Sequence, residues 1–88
     1  MYSKVTLSIG GSDSGGGAGI QADLRTFMSI KVHGCTAITC ITAQNSIGVT
    51  DVEAVKNYML INQIDALFSD FEIQCLKTGM LLPLLQQN

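Results

Sequence analysis

Residues 10–23, GGSDSGGGAGIQAD, constrain the fold of this chain more than any other segment. Six of the ten residues at 10–19 are glycine, and the segment stands between a short apolar run and an amphipathic one. Glycine accepts positive φ at little cost and allows a ligand to approach the backbone closely. A helix that begins just beyond such a turn presents unpaired N–H groups and a partial positive charge. The segment therefore predicts a strand, a glycine-rich turn and a helix start that together build a small-molecule site in an α/β protein.

Hydrophobic patterning around this turn predicts a strand before it and a helix after it. Val5–Ile9 alternates apolar and small polar residues, as a strand does. After the turn, four apolar residues recur at helical spacing and form one stripe: Ile20, Leu24, Phe27 and Met28. The pair His33 and Gly34 supplies a helix C-terminal signal, so we expect the helix to end near Val32 with His33 at its end.

The second half of the chain repeats this alternation. Residues 35–42 are β-branched or small and predict a second strand, and residues 52–55 suggest a short extended piece. Asn57 is a suitable N-cap for a second helix, whose apolar stripe consists of Leu60, Ile64, Leu67 and Phe68. Residues 73–78 predict a third strand, and Pro83 suits the first turn of a further helix.

The order strand, helix, strand, helix, strand predicts an α/β fold with a parallel sheet and flanking helices. Helix-length crossovers join parallel strands through right-handed connections, and a parallel sheet needs cover on both faces. Two full helices for three strands leave apolar surface uncovered, and the leucine-rich end stops after little more than one helical turn. We therefore expect residues 1–88 to be the N-terminal portion of a larger single domain, truncated after the third strand.

Composition excludes several classes of partner. The chain is 47% hydrophobic and 14% charged, which indicates a folded core, and its net charge of −2 provides no basic footprint for nucleic acid. Five scattered Lys and Arg residues form no membrane-binding patch, and no apolar run reaches eighteen residues. Three cysteines without CxxC spacing favour free, buried thiols over disulfides or zinc ligands. These features predict a cytoplasmic protein without nucleic-acid or membrane partners.

Two nucleotide-binding fingerprints can be tested on the glycine-rich segment. Residues 17–22, GAGIQA, satisfy the G-x-G-x-x-A dinucleotide pattern in the right strand, turn and helix setting. That pattern needs an acidic residue about 20 positions further on to hold the ribose, and none occurs between Asp23 and Asp51. A P-loop needs Gly followed by Lys, and the chain contains no such pair. The segment is therefore predicted to bind neither a dinucleotide nor a nucleoside triphosphate in these two ways.

Four side chains are candidates for a ligand site. Asp13 is expected mainly to form the turn by bonding its own backbone, and less so to meet a ligand hydroxyl or metal. Asp23 falls within the apolar stripe of the first helix, either as a first-turn acid stabilised by the helix dipole or as an ionised acceptor for a ligand. Gln44 and Met80 follow the second and third strands, where open parallel sheets bind ligands. The Gln44 amide can pair with an aminopyrimidine edge, although Gln44 can equally be an ordinary polar loop residue. The simpler interpretation of Met80 is an ordinary core methionine.

Several segments taken together resemble a known family. They are residues 10–23, His33 with Gly34, residues 42–49, residues 68–70 and residues 77–81, in this order. They resemble the hydroxymethylpyrimidine/phosphomethylpyrimidine kinases of thiamine biosynthesis, which belong to the ribokinase-like superfamily. The resemblance runs from residue 5 to about residue 82. It implies a three-layer, Rossmann-like sheet of the ribokinase type.

The same resemblance implies a function and a set of site residues. The expected reaction is ATP-dependent phosphorylation of 4-amino-5-hydroxymethyl-2-methylpyrimidine and then of its monophosphate, with Mg²⁺ as the metal. The positions of Asp23 and Gln44 are expected to contact the pyrimidine, and that of Met80 to line its pocket. Gly11 and Gly19 belong to the turn that packs beside this substrate and is not the ATP phosphate loop.

Two departures from the family limit what these residues can do alone. The family usually carries Ser, or Pro, followed by Ser at the positions of Ser14 and Gly15, so this loop is expected to be looser but still able to bind. The later half of the family, which contributes the ATP pocket, an anion hole and the catalytic residue, has no counterpart here, because no glycine-rich loop follows Gly79. We therefore expect no turnover from residues 1–88 by themselves.

Other functions remain open from the residues. The chain can be a non-catalytic module that holds a pyrimidine or pairs with a second copy through an exposed sheet edge, as a homodimer. A pyridoxal kinase-like fragment is a further alternative, because the pyridoxal kinases share parts of these motifs. A dinucleotide-binding domain is disfavoured by the missing ribose acid.

Overall fold

The computed structural model describes residues 4–79 and builds them around one four-stranded sheet. The elements, in chain order, are β1 (Val5–Asp13), α1 (Gly19–Ser29), β2 (His33–Gln44), β3 (Val49–Ala54), α2 (Asn57–Asp70) and β4 (Cys75–Thr78). The order of strands across the sheet is β3-β2-β1-β4. The predicted α/β class with two helix crossovers is therefore confirmed.

The sheet is mixed, whereas the sequence predicted a parallel one. β1 pairs in parallel with both β2 and β4, as expected for strands joined by helices. β3, however, runs antiparallel to β2, and it is a fourth strand where only a short extended piece at 52–55 was expected. A connection of four residues from Gln44 to Val49 is too short for a crossover, so the chain turns back as a hairpin.

β1 is longer than predicted and carries part of the glycine-rich segment. Ser12 and Asp13 pair with Ile41 and Thr42 of β2 after a register shift that follows Gly10. The strand thus continues four residues past Ile9, and the turn proper begins only at Ser14. This extension brings the start of the turn beside the end of β2.

The two helices cover opposite faces of the sheet and complete three layers. On one face, the buried residues Leu7, Cys35 and Ala37 pack with Leu60 of α2. Six partly buried apolar side chains of β1, α2 and the segment after it extend this core: Val5, Ile9, Ile64, Leu67, Phe71 and Ile73. Side chains alternate between faces along a strand, so the even-numbered residues of β1 meet α1. There Ile20 and Phe27 are the buried apolar residues of the helix.

The boundary between α1 and β2 differs from the prediction. The helix ends at Ser29 rather than near Val32, and Lys31 takes the left-handed conformation with φ 61°. His33 is the first residue of β2, not a helix-end residue, and its ring stacks on Phe71 at a centroid distance of 5.2 Å. Gly34 is needed for packing, because a Cβ there would lie 2.7 Å from the Phe27 ring.

The ends of the later elements also differ from the predicted ones. The N-cap of α2 is Lys56, and Asn57 is already helical, with an Oδ1 atom that is buried without a hydrogen-bond partner in the described part of the chain. Phe68 was placed in the inner stripe of this helix but is half exposed. β4 begins at Cys75 rather than at residue 73. Pro83 and the leucines around it lie outside the described residues.

The three cysteines were all expected to be buried, and two of them are. Cys35 and Cys40 lie in the interior of β2, whereas Cys75 is exposed on the edge strand β4. Within residues 4–79, no helix is both long enough and apolar enough to cross a membrane.

Candidate functional site

A cavity of about 360 Å³ opens at the carboxyl ends of β1 and β2, beside the start of α1. This is the place where open α/β sheets bind ligands. It is lined by Gly10, Gly11, Ser12, Asp13, Ala18, Gly19, Ala22, Asp23, Thr42, Gln44, Val49, Lys77 and Gly79. The structure therefore brings together four of the five predicted site residues, namely Asp23, Gln44, Gly11 and Gly19. The fifth, Met80, lies outside the described residues, although Gly79 before it lines the cavity.

Asp13 organises the glycine-rich turn. Its carboxylate accepts one hydrogen bond from the Gly15 N–H at 2.7 Å and another from the Ala18 N–H at 2.8 Å. Its carbonyl oxygen also accepts a bond from the Gly16 N–H at 3.0 Å. The prediction of Asp13 as a turn-former is confirmed, because the buried carboxylate already has one backbone partner for each oxygen.

Gly19 is the glycine on which the geometry of the turn depends most. It has φ 62°, and a Cβ at this position would overlap the carbonyl oxygen of Gly11. The absence of a side chain lets the first turn of α1 approach the end of β1. Gly11 and Gly19 thus line the cavity at a point where their backbones approach closely.

Asp23 is held by two other elements of the fold. Its Oδ2 accepts a hydrogen bond from the buried Ser8 hydroxyl at 2.6 Å, and its Oδ1 lies 2.8 Å from the Lys77 ammonium. Burial by itself raises the pKa of Asp23. The hydrogen bonds from Lys77 and Ser8 and the positive charge of Lys77 outweigh it and leave the pKa below its ordinary value. Asp23 is therefore an ionised acceptor at neutral pH.

The position of Asp23 also excludes one of its two predicted roles, that of a first-turn acid stabilised by the helix dipole. It is the fifth residue of α1, and the first turn of the helix contains no acidic residue. Helix-dipole stabilisation falls off within the first turn. The carboxylate is accordingly stabilised by Ser8 and Lys77 rather than by the helix terminus, and it lines the cavity.

Gln44 is anchored through its backbone to the glycine-rich turn. The Ser14 hydroxyl donates to the Gln44 carbonyl at 2.6 Å and accepts from the Gln44 N–H at 2.7 Å. The side-chain Oε1 of Gln44 lies 3.1 Å from the Thr42 hydroxyl oxygen. Its Nε2 donates to no other described residue, so two N–H groups are available to the cavity.

A second side-chain amide ties α1 to the end of β1. The Oε1 of Gln21 accepts from the Asp13 N–H at 2.9 Å, and its Nε2 donates to the Ser12 hydroxyl at 2.8 Å. The Thr42 hydroxyl in turn donates to the Ser12 carbonyl at 2.8 Å. These bonds fix the end of β1 between the helix and β2.

Sequence reasoning missed the residues that support the predicted ones, namely Ser8, Ser12, Gln21, Thr42 and Lys77. A signal existed for Ser8, because a small polar residue in a buried strand can be matched to an acid in a buried helix stripe. No such signal existed for Lys77. It aligns with Ser8 across the β1 and β4 strands, and that register is a property of the assembled sheet.

His33 lies away from the cavity. It pairs with Val5, at the opposite end of β2 from Gln44. Among residues 4–79, no three His, Cys, Asp or Glu side chains are grouped closely enough to hold a metal ion. The cavity offers one carboxylate with spare acceptor capacity, one amide and one ammonium group.

Comparison with known proteins identifies a family and relatives that this chain matches. Residues 13–84 match a protein family described as phosphomethylpyrimidine kinase. A hydroxymethylpyrimidine/phosphomethylpyrimidine kinase of Synechococcus elongatus is 62% identical over 82 residues, which are 93% of this chain and 31% of that protein. The chain therefore spans about a third of the length of such a relative.

Solved structures show the same fold. A phosphomethylpyrimidine kinase from Clostridium difficile matches with a TM-score of 0.84 and 51% identity, over 88% of this chain and 33% of the other. A pyridoxal kinase from Bacillus subtilis, solved as an ADP complex, matches with a TM-score of 0.80 and 38% identity, over 90% of this chain and 31% of the other. The fold is that of the ribokinase-like kinases.

Proposed function

This chain belongs to the phosphomethylpyrimidine kinase family, and we propose that it forms the substrate side of a kinase that phosphorylates 4-amino-5-hydroxymethyl-2-methylpyrimidine and its monophosphate. In this proposal, residues 1–88 are the N-terminal portion of a single ribokinase-like domain whose remaining part carries the nucleotide site. The observation that carries it is the cavity at the strand ends, where Asp23 and Gln44 meet.

The size and polarity of this cavity suit one small heterocycle. Its volume of about 360 Å³ lies at the lower end of the range for small-molecule sites, about 300–1,000 Å³. The glycines of the turn carry no side chain, so a planar ring can approach their backbone closely. Among the described lining residues, Asp13, Asp23 and Lys77 carry charge, two negative and one positive. That balance suits an uncharged heterocyclic ring within the cavity.

Asp23 and Gln44 have complementary roles toward an aminopyrimidine. The Nε2 group of Gln44 can donate to a ring nitrogen, because Gln44 lines the cavity and no described residue accepts a hydrogen bond from this group. The ionised Asp23 can accept from an exocyclic amino group, since each of its oxygens has a second lone pair. An aminopyrimidine edge presents an acceptor next to a donor, so it satisfies both. Met80, which follows the cavity-lining Gly79, is proposed as an apolar contact to the ring.

ATP and Mg²⁺ are proposed as the phosphoryl donor and its metal, with sites outside this chain. The residues described here do not fit a Mg²⁺ site, since they form no cluster of three possible ligands and both oxygens of Asp13 hold backbone N–H groups. The kinase relatives are about three times as long as this chain. The contribution of these residues is to bind and orient the pyrimidine. A cytoplasmic location is proposed with this function, because cysteines held outside disulfides suit a reducing compartment.

Two further functions can be distinguished from this one by experiment. A pyridoxal kinase function is favoured by the likeness to the Bacillus subtilis enzyme, although the identity is lower, at 38% against 51%. A non-catalytic pyrimidine-binding module needs only the cavity. The three possibilities differ in which ligand binds and whether a phosphorylated product forms.

The test is a calorimetric titration of the protein with the hydroxymethylpyrimidine and, separately, with pyridoxal, followed by a phosphorylation assay of each with ATP and Mg²⁺. A matched analogue with an oxo group in place of the amino group serves as the control ligand, because it offers Asp23 no amino donor. We expect binding of the amino compound, at least tenfold weaker binding of the oxo analogue as for a lost charged hydrogen bond, and product formation by the complete enzyme. Preference for pyridoxal selects the second function, and binding without product selects the third.

A further inference from the structure

Lys77 is a charged residue of the edge strand that no part of the motif reasoning assigned to the cavity. Its ammonium reaches Asp23 Oδ1 at 2.8 Å, while Ser8 donates to Oδ2 at 2.6 Å. Ser8 and Lys77 occupy paired positions on β1 and β4, so both approach the carboxylate from the sheet. Ser8 is fully buried, whereas half of the Lys77 side chain is exposed at the cavity. One carboxylate on α1 is thus held from two neighbouring strands.

From this geometry we infer that Lys77 is a positioning residue for the pyrimidine, acting by holding the Asp23 carboxylate in place at the cavity wall. The inference rests on the proposed function, because it gives Asp23 the role of acceptor for the amino group. With Oδ1 on Lys77 and Oδ2 on Ser8, the carboxylate plane cannot rotate without losing a bond. The remaining lone pairs therefore keep a constant direction toward the ligand.

Lys77 acts on the Asp23 carboxylate through its positive charge, and the neutral Ser8 cannot replace this effect. From β1, Asp23 faces the neutral Ser8, and the end of the same strand adds the Asp13 carboxylate to the cavity. From β2, the lining residues Thr42 and Gln44 are uncharged. Lys77 on β4 is the one cation among the described lining residues. Its removal leaves a half-buried carboxylate whose burial raises the pKa without an opposing positive charge.

A pair of substitutions separates this role from a merely structural one. Lys77→Met keeps most of the side-chain length and removes the charge, whereas Lys77→Arg retains the charge and a donor. In the complete enzyme, we expect Lys77→Met to raise the KM for the pyrimidine about tenfold, as for loss of a charge-assisted bond that orders the acceptor, with kcat and the KM for ATP little changed. Lys77→Arg should restore most of the affinity. Lys56→Met, at an exposed lysine that does not line the cavity, is the matched control.

The pH dependence supplies a readout that loss of stability alone would not move. In the wild type, Asp23 stays ionised to below its ordinary pKa, so pyrimidine affinity should not vary with this group between pH 5 and 8. In Lys77→Met, affinity should fall as the pH is lowered through the raised pKa of Asp23, by about tenfold for each pH unit below it. An affinity profile parallel to that of the wild type would overturn the inference.

Carboxyl NMR keeps this test independent of the proposed function. The titration of the ¹³C-labelled Asp23 carboxyl can be followed without any ligand, in the wild type and in both Lys77 variants. An upward shift of the Asp23 titration in Lys77→Met, reversed in Lys77→Arg, supports the inference, and unchanged titration overturns it. Should the wild type bind no aminopyrimidine, the proposed function fails, while this titration still reports whether Lys77 controls the Asp23 carboxylate.

Discussion

The two faces of the same sheet are built by different physical means. On the α2 face, Leu7 and Leu60 belong to an apolar cluster in which shape and area decide the contacts. On the α1 face, Ser8 and Asp23 meet through directed hydrogen bonds and an ion pair with Lys77. Neighbouring residues of β1 alternate between these environments. The comparison shows how one strand can supply stability on one side and a polar binding site on the other.

The two faces also differ in how each tolerates change. An apolar cluster can relax around a missing methyl group, at a cost that depends on the cavity left behind. A polar network cannot relax in this way, because removing one partner leaves the other unsatisfied. We therefore expect substitutions on the α2 face to lower stability and substitutions on the α1 face to lower binding.

The largest expected effect is on the α2 face. Leu60 is 3% exposed, so Leu60→Ala should lower the free energy of unfolding by about 2–5 kcal/mol, through lost burial and a residual cavity. Ile61→Ala, at a position that is 56% exposed, is the control and should change it by less than about 0.5 kcal/mol. Urea denaturation followed by circular dichroism measures both. Equal losses in the two variants would contradict the assignment of this face as the core.

The next effect concerns the turn that joins β1 to α1. Gly19→Ala should cost about 2–3 kcal/mol of unfolding free energy, from left-handed backbone strain and overlap with the Gly11 carbonyl. Gly16 has φ 79° but open space around its Cβ position, so Gly16→Ala isolates the strain. We expect the Gly19 variant to lose pyrimidine affinity as well, because Gly11 lines the cavity. Similar behaviour of the two variants would mean that the close contact is unimportant.

A smaller effect should separate binding from stability on the α1 face. Gln44→Ala should raise the KM for the pyrimidine about tenfold, the value of a lost hydrogen bond of about 1.4 kcal/mol. The backbone bonds to Ser14 survive this change, so the urea midpoint should remain that of the wild type. Gln74→Ala, at an exposed glutamine outside the cavity, is the control. A shifted midpoint with unchanged KM would assign Gln44 to folding instead.

The smallest effect is the pH dependence that Asp23 adds to stability. Because its pKa is lowered in the folded protein, its contribution is present above the ordinary value of 3.8 and is lost as the pH falls through the lowered pKa. Since Lys77 is half exposed and solvent screens the ion pair, we expect this contribution to the free energy of unfolding to be below about 1 kcal/mol. Asp23→Asn should flatten the stability curve below about pH 5, while Asp65→Asn, on the exposed side of α2, should leave its shape unchanged. A curve of unchanged shape in Asp23→Asn would show that the ion pair does not contribute.

Local patterns predicted the main elements because they depend on neighbouring residues. The apolar stripe of Ile20 and Phe27 and the glycines of the turn placed α1 and the end of β1. The β3 hairpin was missed because residues 49–54 are all exposed, and an exposed edge strand has no apolar alternation to reveal it. The cap at Asn57 was wrong because Lys56 occupies the extended position before the helix.

The candidate site was predicted in part for the same reason. Gly11, Gly19 and Asp23 lie in one contiguous motif, and Gln44 directly ends a strand, so their place at the strand ends followed from short-range order. Their supporting partners are distant in sequence. Ser14 reaches Gln44 across 30 residues and Lys77 reaches Asp23 across 54. No periodicity within one element carries that information.

The sequence by itself determined the α/β class, the glycine-rich turn and four residues of the cavity, namely Gly11, Gly19, Asp23 and Gln44, because φ preferences and helical or strand periodicity act over a few residues. The tertiary structure alone decided the antiparallel β3 and the alignment of Ser8 with Lys77. It also decided the ionised state of Asp23, which depends on that alignment. The physical reason is that strand register and electrostatic pairing are set by how whole elements pack, since charges act on one another only when folding brings them within a few ångströms.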